Sequence, residues 1–215
     1  MKLIKMLGLA AVAAMAAMAI VGASSASAET GNIVLCAKLI LKCTNTADQA
    51  GEGGNVTITA SATNPELKSS IGTVKCASSK SVVTLLNKLG LSITGHVLEL
   101  SFSECFLGKT ECKVKTEELG ALLFKHHPEN PLEAIVEATL LEGKDTLQRL
   151  TCGALINCVY SGEGAALTAH SSMEGLTQLL AKEAILSKTS GLCPETSKWT
   201  ATYVDSMATG LWIES

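Results

Sequence analysis

Three stretches of the chain alternate apolar and polar side chains without a break. Val56, Ile58 and Ala60 interleave with Thr57, Thr59 and Ser61; Leu98, Leu100 and Phe102 with Glu99, Ser101 and Ser103; Trp199, Ala201 and Tyr203 with Thr200 and Thr202. A period of two places alternate side chains on opposite faces, so each stretch predicts a half-buried strand. Shorter segments of the same character are Gly72 to Cys76, Glu111 to Thr116, Leu147 to Cys152, Leu155 to Tyr160, Ala166 to His170 and Gly210 to Ile213. Many short strands parted by turns, with no regular interleaving of helices, predict a mainly β fold. The expected architecture is an antiparallel β-sandwich or barrel with at most one or two short helices.

Three segments fit two patterns. Leu132 to Leu140 reads as a strand with Ala134, Val136 and Ala138 inward, and also as a helical face; the strand is favoured because Glu133, Glu137 and Thr139 then fall together on the other side. Ser171-Ser172-Met173-Glu174 has the form of a capping box ahead of Leu176, Leu179 and Leu180, which suggests a short helix weakened by Gly175. Val82 to Leu89, closed by Gly90, fits either a helix with a C-terminal glycine or an edge strand.

The start of the chain follows different rules. Met1, Lys2 and Lys5 form a basic start, Met6 to Ala23 is an Ala/Met/Leu run, and Ser24-Ser25-Ala26-Ser27-Ala28 supplies small side chains. That order is a secretory signal peptide over residues 1–28, with cleavage expected after Ala28. No cysteine precedes Cys36, so nothing near the cleavage point could be acylated. Residues 29–215 then form one secreted domain, with 29–54, around Gly51-Glu52-Gly53-Gly54, expected to pack least tightly. Among 215 residues, 17 Lys and Arg stand against 20 Asp and Glu, and loss of Lys2 and Lys5 makes the mature chain more acidic still. With only 3% aromatic residues as well, neither a phosphate-neutralising face nor a stacking platform for nucleic acid is available. With no further long apolar run, no membrane contact is expected after cleavage, and any partner would be extracellular or on the cell surface.

All 8 cysteines lie beyond the leader, and an even count in an exported chain reads as a disulfide framework. Cys36 and Cys43 enclose six residues, Cys105 and Cys112 six, and Cys152 and Cys158 five, which leaves Cys76 for Cys193. The Cys105–Cys112 pairing has the firmest basis. Gly108-Lys109 suits a two-residue hairpin that sets Leu107 against Thr110, Phe106 against Glu111 and Cys105 against Cys112. These spacings are longer than zinc couples, and no redox C-x-x-C occurs, so no metal is expected.

Gly72-Thr73-Val74-Lys75-Cys76, Leu100-Ser101-Phe102-Ser103-Glu104-Cys105, Cys112-Lys113-Val114, Ile156-Asn157-Cys158-Val159-Tyr160 and Cys193-Pro194 before Trp199-Thr200-Ala201-Thr202-Tyr203 form an ordered series. The series resembles an uncharacterised family of secreted, cysteine-containing, β-rich actinobacterial proteins over roughly residues 70–215. The resemblance implies export, β structure and disulfides, and carries no activity or functional residues. From Glu117 to Leu150 the chain departs from that pattern in being richer in Leu, Glu and Lys.

Recognisable catalytic chemistry is missing: there is no G-x-S-x-G, H-E-x-x-H, Walker loop or G-x-G-x-x-G, and no cofactor is implied. His126-His127 ahead of Pro128 reads as a solvated loop, His96 as a partly buried strand residue in phase with Leu98 and Leu100, and His170 as a base only if a carboxylate reaches it. Glu117-Glu118 and Glu133/Glu137 read as solvated faces. Trp199 and Tyr203 read as core, and so does Trp212 ahead of the alternatives of a lid or a surface anchor. The expected function is therefore a secreted, non-enzymatic binding or structural module without catalytic residues. The alternatives are a secreted hydrolase with a dispersed site, favoured by a histidine beside a carboxylate in a cleft, and a small-ligand carrier, favoured by an apolar interior cavity.

Overall fold

Alternation becomes strand along most of the described residues. The computed structural model describes residues 32–37, 43, 45–130, 133–171, 177–206 and 212–214. Its strands are β1 (Val34–Cys36), β2 (Asn55–Thr63), β3 (Glu66–Ser69), β4 (Gly72–Leu86), β5 (Ser92–Leu107), β6 (Thr110–Glu118), β7 (Ala121–His126), β8 (Glu133–Thr139), β9 (Leu147–Cys152), β10 (Ile156–Ser161), β11 (Ala166–Ser171), β12 (Thr177–Ser190), β13 (Thr196–Asp205) and β14 (Trp212–Glu214). Among the described residues the helical elements are two short 3-10 turns, Thr46–Asp48 and Ala50–Gly53. The expected leader lies outside the described residues.

The pairings close on themselves. β4 runs antiparallel to β5 on one flank and to β2 and β3 on the other. β5 passes to β6 and β7, these to β9 and β8, these to β10 and β11, and these to β12. β12 pairs β13, which returns to β2 and β3. Each of the pairs β2/β3, β6/β7, β8/β9 and β10/β11 acts as one broken stave, so the sheet is an eight-stave up-and-down barrel with no free edge. The breaks have local causes: Pro65 lacks an amide donor, and Gly120 passes so close to Thr139 that a Cβ would lie 2.7 Å from its carbonyl oxygen.

Two buried clusters fill the interior. One gathers Ile33, Leu35, Leu85, Ile93, Phe124, Val136 and a series of alanines, and the other joins Val74, Leu150 and Tyr160 to Cys76, Cys105, Cys112, Cys152 and Cys158. Against the first lies the N-terminal segment: β1 pairs β14, and Ile33 exchanges backbone hydrogen bonds with Gly90. Expected to be loosely packed, this segment buries Ile33, Val34, Leu35, Cys36, Cys43, Gln49 and Ala50. Asn45, Thr46, Gly51 and Glu52 of the same segment are exposed, which is the part of it that composition reports.

Bulges account for most other departures. In β5 the register slips between Val97 and Glu99, so Leu98 turns outward and His96 is exposed beside a buried Val97. Val82 to Leu89 is neither helix nor edge, because β4 runs to Leu86 between β2 and β5. Much of the suggested capping box lies outside the described residues, and Leu179 and Leu180 are in strand β12. The favoured strand at Leu132 to Leu140 corresponds to β8, with Ala134, Val136 and Ala138 inward.

Four disulfides are present: Cys36–Cys43, Cys76–Cys105, Cys112–Cys152 and Cys158–Cys193. The pairings expected for Cys105–Cys112, Cys152–Cys158 and Cys76–Cys193 are therefore corrected. The hairpin register is as expected, with Cys105 opposite Cys112, but Cys105 also faces Cys76 and Cys112 also faces Cys152. In a two-residue hairpin the pair flanking the turn is hydrogen-bonded, and pairs alternate from there, which makes Cys105/Cys112 a wide, hydrogen-bonded pair. A residue whose backbone bonds point to one neighbour forms a narrow pair with the other. Cα separations of 3.9 Å for Cys76–Cys105 and 4.1 Å for Cys112–Cys152 are of that narrow kind. In the β9–β10 hairpin Cys152 faces Ile156 and Cys158 faces Leu150, so those two cysteines are offset.

Candidate functional site

Between the two buried clusters the barrel is incompletely filled. A cavity of about 120 Å³ is lined by Leu100 and Phe102 of β5, Val114 of β6, Leu150 of β9, Tyr160 of β10, Leu186 of β12 and Trp199 of β13, with Ala138, Ala165 and Ala184 among its other walls. The short alanine side chains leave space that Leu or Phe at those positions would fill. Phe102 and Trp199 meet edge to face, with ring centroids 5.2 Å apart, and fix one wall. A second void of about 40 Å³ shares Ser81, Leu122, Leu179 and Tyr203 with the first.

Few polar groups reach this interior. The Tyr203 hydroxyl is 2.8 Å from Ser79 Oγ, which donates onward to the Ser101 carbonyl at 2.9 Å. Burial pushes the Tyr203 phenol up to about 12, opposed by the Ser79 hydrogen bond. Gln148 also lines the cavity, in the inward row where β6, β9 and β10 set Thr116, Gln148 and Tyr160 side by side. Its Oε1 lies 3.1 Å from Thr116 Oγ1, whose single proton also has the Leu100 carbonyl within reach, while its Nε2 is buried without a hydrogen-bond partner. Sequence reasoning passed over Gln148. The available signal was a polar residue in phase with Leu150 and Cys152 on the inward face of a strand.

The histidines and carboxylates lie elsewhere. Glu133, at the start of β8, stands between two imidazoles: His127 Nε2 is 3.8 Å from Oε2, and His170 Nδ1 is 3.3 Å from Oε1. The latter approach is close enough for an ion pair but lacks hydrogen-bond geometry. His127 Nδ1 accepts the backbone amides of Glu129 and Asn130, so the expected solvated loop is an ordered turn whose neutral tautomer carries its proton on Nε2. His170 thus has the carboxylate that sequence could not place.

Glu117, Glu137 and Glu99 sit on the outer face, whereas Asp205 is buried and lines the smaller void. Glu117 receives Arg149 through both oxygens, Glu137 pairs Lys125 and Glu99 pairs Lys80. The hydrogen bonds from Lys80, Arg149 and Lys198 hold Glu99, Glu117 and Glu183 below the ordinary carboxylate value. An outer groove of about 620 Å³ contains Glu99, Glu117 and Glu118, and another of about 570 Å³ contains His96. Neither groove joins a histidine to a carboxylate. Among the described residues no group of three or more His, Cys, Asp or Glu is arranged to hold a metal ion. Trp199 and Tyr203 are interior, and the Trp212 side chain is outside the described residues.

A scan against protein-family models finds no match, and searches of curated proteins and of solved structures find none either.

Proposed function

We propose that this chain is an exported, non-enzymatic binding protein that carries a small apolar molecule inside its barrel. The observation that carries this reading is the cavity of about 120 Å³ walled by Leu, Val, Ala and aromatic side chains. An eight-stave barrel is just wide enough to be filled by its own side chains or to hold one small ligand, and apolar cavities of ~150 Å³ take up benzene. Export is supported by the leader pattern and by four disulfides, which persist in oxidising compartments. The outer face bears ion pairs such as Lys75–Glu66, Lys80–Glu99 and Lys198–Glu183, the reverse of the apolar band that a membrane-spanning barrel turns to lipid. No helix among the described residues is long and apolar enough to cross a membrane.

The test is a calorimetric titration of the oxidised protein with benzene, beside an Ala184→Leu variant that fills the cavity. Saturable binding lost in the variant supports the carrier. A folded wild type that takes up neither benzene nor phenol leaves a purely structural module.

The hydrolase reading has one observation in its favour, the Glu133 carboxylate beside His170. A triad would also need a hydroxyl nucleophile at the far side of that imidazole. Neither Glu133 nor His170 lines the cavity, so the two readings separate: ester turnover abolished by His170→Ala with benzene binding intact would establish the hydrolase site.

A further inference from the structure

We infer that the molecule held in the barrel carries a single hydroxyl group, as a phenol or a small alicyclic alcohol does, and that the Gln148 amide binds it. This rests on the carrier reading above and narrows it to a ligand class. Hydrogen-bonding protons are scarce in the row Thr116, Gln148, Tyr160.

Thr116 has one hydroxyl proton and two acceptors within reach, the Leu100 carbonyl and Gln148 Oε1. With Oε1 directed at Thr116, Gln148 Nε2 is a buried donor with no partner, on a residue that lines a mainly apolar cavity whose other small polar side chains are Ser81 and Thr146. If Thr116 gives its proton to Leu100, the amide can turn over and donate Nε2 to Thr116, which leaves Oε1 as the inward, unpaired atom. Either way one polar atom of Gln148 is unsatisfied, a state that protein interiors avoid. A ligand hydroxyl both donates and accepts, so it completes either arrangement. A ketone or ether serves only the first.

The rest of the wall sets the remaining chemistry. No charged side chain lines the larger cavity, so a carboxylate or ammonium ligand there would be buried unpaired, and Asp205 at the smaller void disfavours an anion further. The volume of about 120 Å³, with about 40 Å³ beyond the shared wall, admits a single ring and excludes a long acyl chain.

The experiment compares phenol with benzene on the wild type, Gln148→Leu and Gln148→Met, with affinities read by calorimetry. The expected result is that the phenol-to-benzene affinity ratio falls about tenfold in the variants while benzene still binds, the effect of leaving one buried hydroxyl unpaired. An unchanged ratio with benzene still bound overturns the hydroxyl inference and leaves the carrier standing. Failure of the folded wild type to bind either probe overturns both. Should neither variant fold, a crystal structure of the wild-type phenol complex decides: the phenol oxygen within hydrogen-bonding distance of the Gln148 amide supports the inference, and placement elsewhere overturns it.

Discussion

Cys105 and Cys112 stand opposite one another across the β5–β6 hairpin, and each is bonded to the cysteine on its other side. The four cysteines Cys76, Cys105, Cys112 and Cys152 thus form one row across β4, β5, β6 and β9, bonded as two couples. The alternation of narrow and wide pairs selects this division. It converts a local hairpin into a tie between staves that are remote in sequence.

Peptide mapping of the oxidised, non-reduced protein is expected to yield Cys76 joined to Cys105 and Cys112 joined to Cys152. The second closes a sequence separation of 40 residues. Replacing Cys112 and Cys152 together by alanine should therefore cost about 4 kcal/mol in the loop-closure account, read by urea denaturation. A Cys105–Cys112 peptide would refute the row.

The same row shows where sequence reasoning runs out. Gly108-Lys109 was sufficient to read the register of the hairpin, because turn geometry is local. Which neighbour a cysteine bonds depends on the strand at its other flank, and nothing within the hairpin names that strand. Bulges hide elements in a related way. β12 is inward at Leu179 and Ala181, then at Ala184 and Leu186, and the slip between Ala181 and Ala184 breaks the period of two that would have marked a long strand. At the candidate site, Trp199 and Tyr203 were legible as interior residues because their alternation is unbroken. Gln148 was not, since its meaning comes from the apolar walls that six other staves bring to it.

Asn87 supplies a second long-range tie. Its side chain is fully buried, accepts the Leu35 amide at 2.7 Å and donates to the carbonyls of Leu35 at 2.6 Å and Ala50 at 2.9 Å. Asn87→Leu would strand all three backbone groups, at a cost of about 3 to 5 kcal/mol. Hydrogen exchange at the Leu35 amide is expected to accelerate far more than at β9 or β10. Unchanged protection at Leu35 would show that β1 is held by packing alone.

Gly191 is fixed by a close approach. Its φ is +96°, and a Cβ there would lie 2.1 Å from the Asn157 carbonyl oxygen, a backbone atom next to the bonded Cys158. Gly143 has a φ of +79° but open space around the same position. Gly191→Ala is therefore expected to lose roughly 3 kcal/mol, or about 6 to 12 °C in Tm, against about 1 kcal/mol for Gly143→Ala. Equal losses in the two variants would mean that conformation alone, and not the contact, sets the cost.

Tyr203 makes stability depend on alkaline pH in a direction that can be worked out. Its buried phenol holds its proton up to about 12, whereas an unfolded tyrosine releases it near pH ~10. Below that lower value both states are protonated and the contribution is complete. Between the two values the unfolded chain binds fewer protons than the native one, so stability falls as pH rises, by roughly 2 to 3 kcal/mol for a shift of this size. Tyr203→Phe keeps the ring and removes the titration. It also gives up the Ser79 hydrogen bond, whose loss is softened because Ser79 still donates to the Ser101 carbonyl. The variant is thus expected to be about 1 kcal/mol less stable at neutral pH and to lose much less between about pH 10 and about pH 12, so that the two stability curves cross within that range. Urea midpoints after short incubation across that range are the measurement. Parallel curves would show that another group governs the alkaline transition.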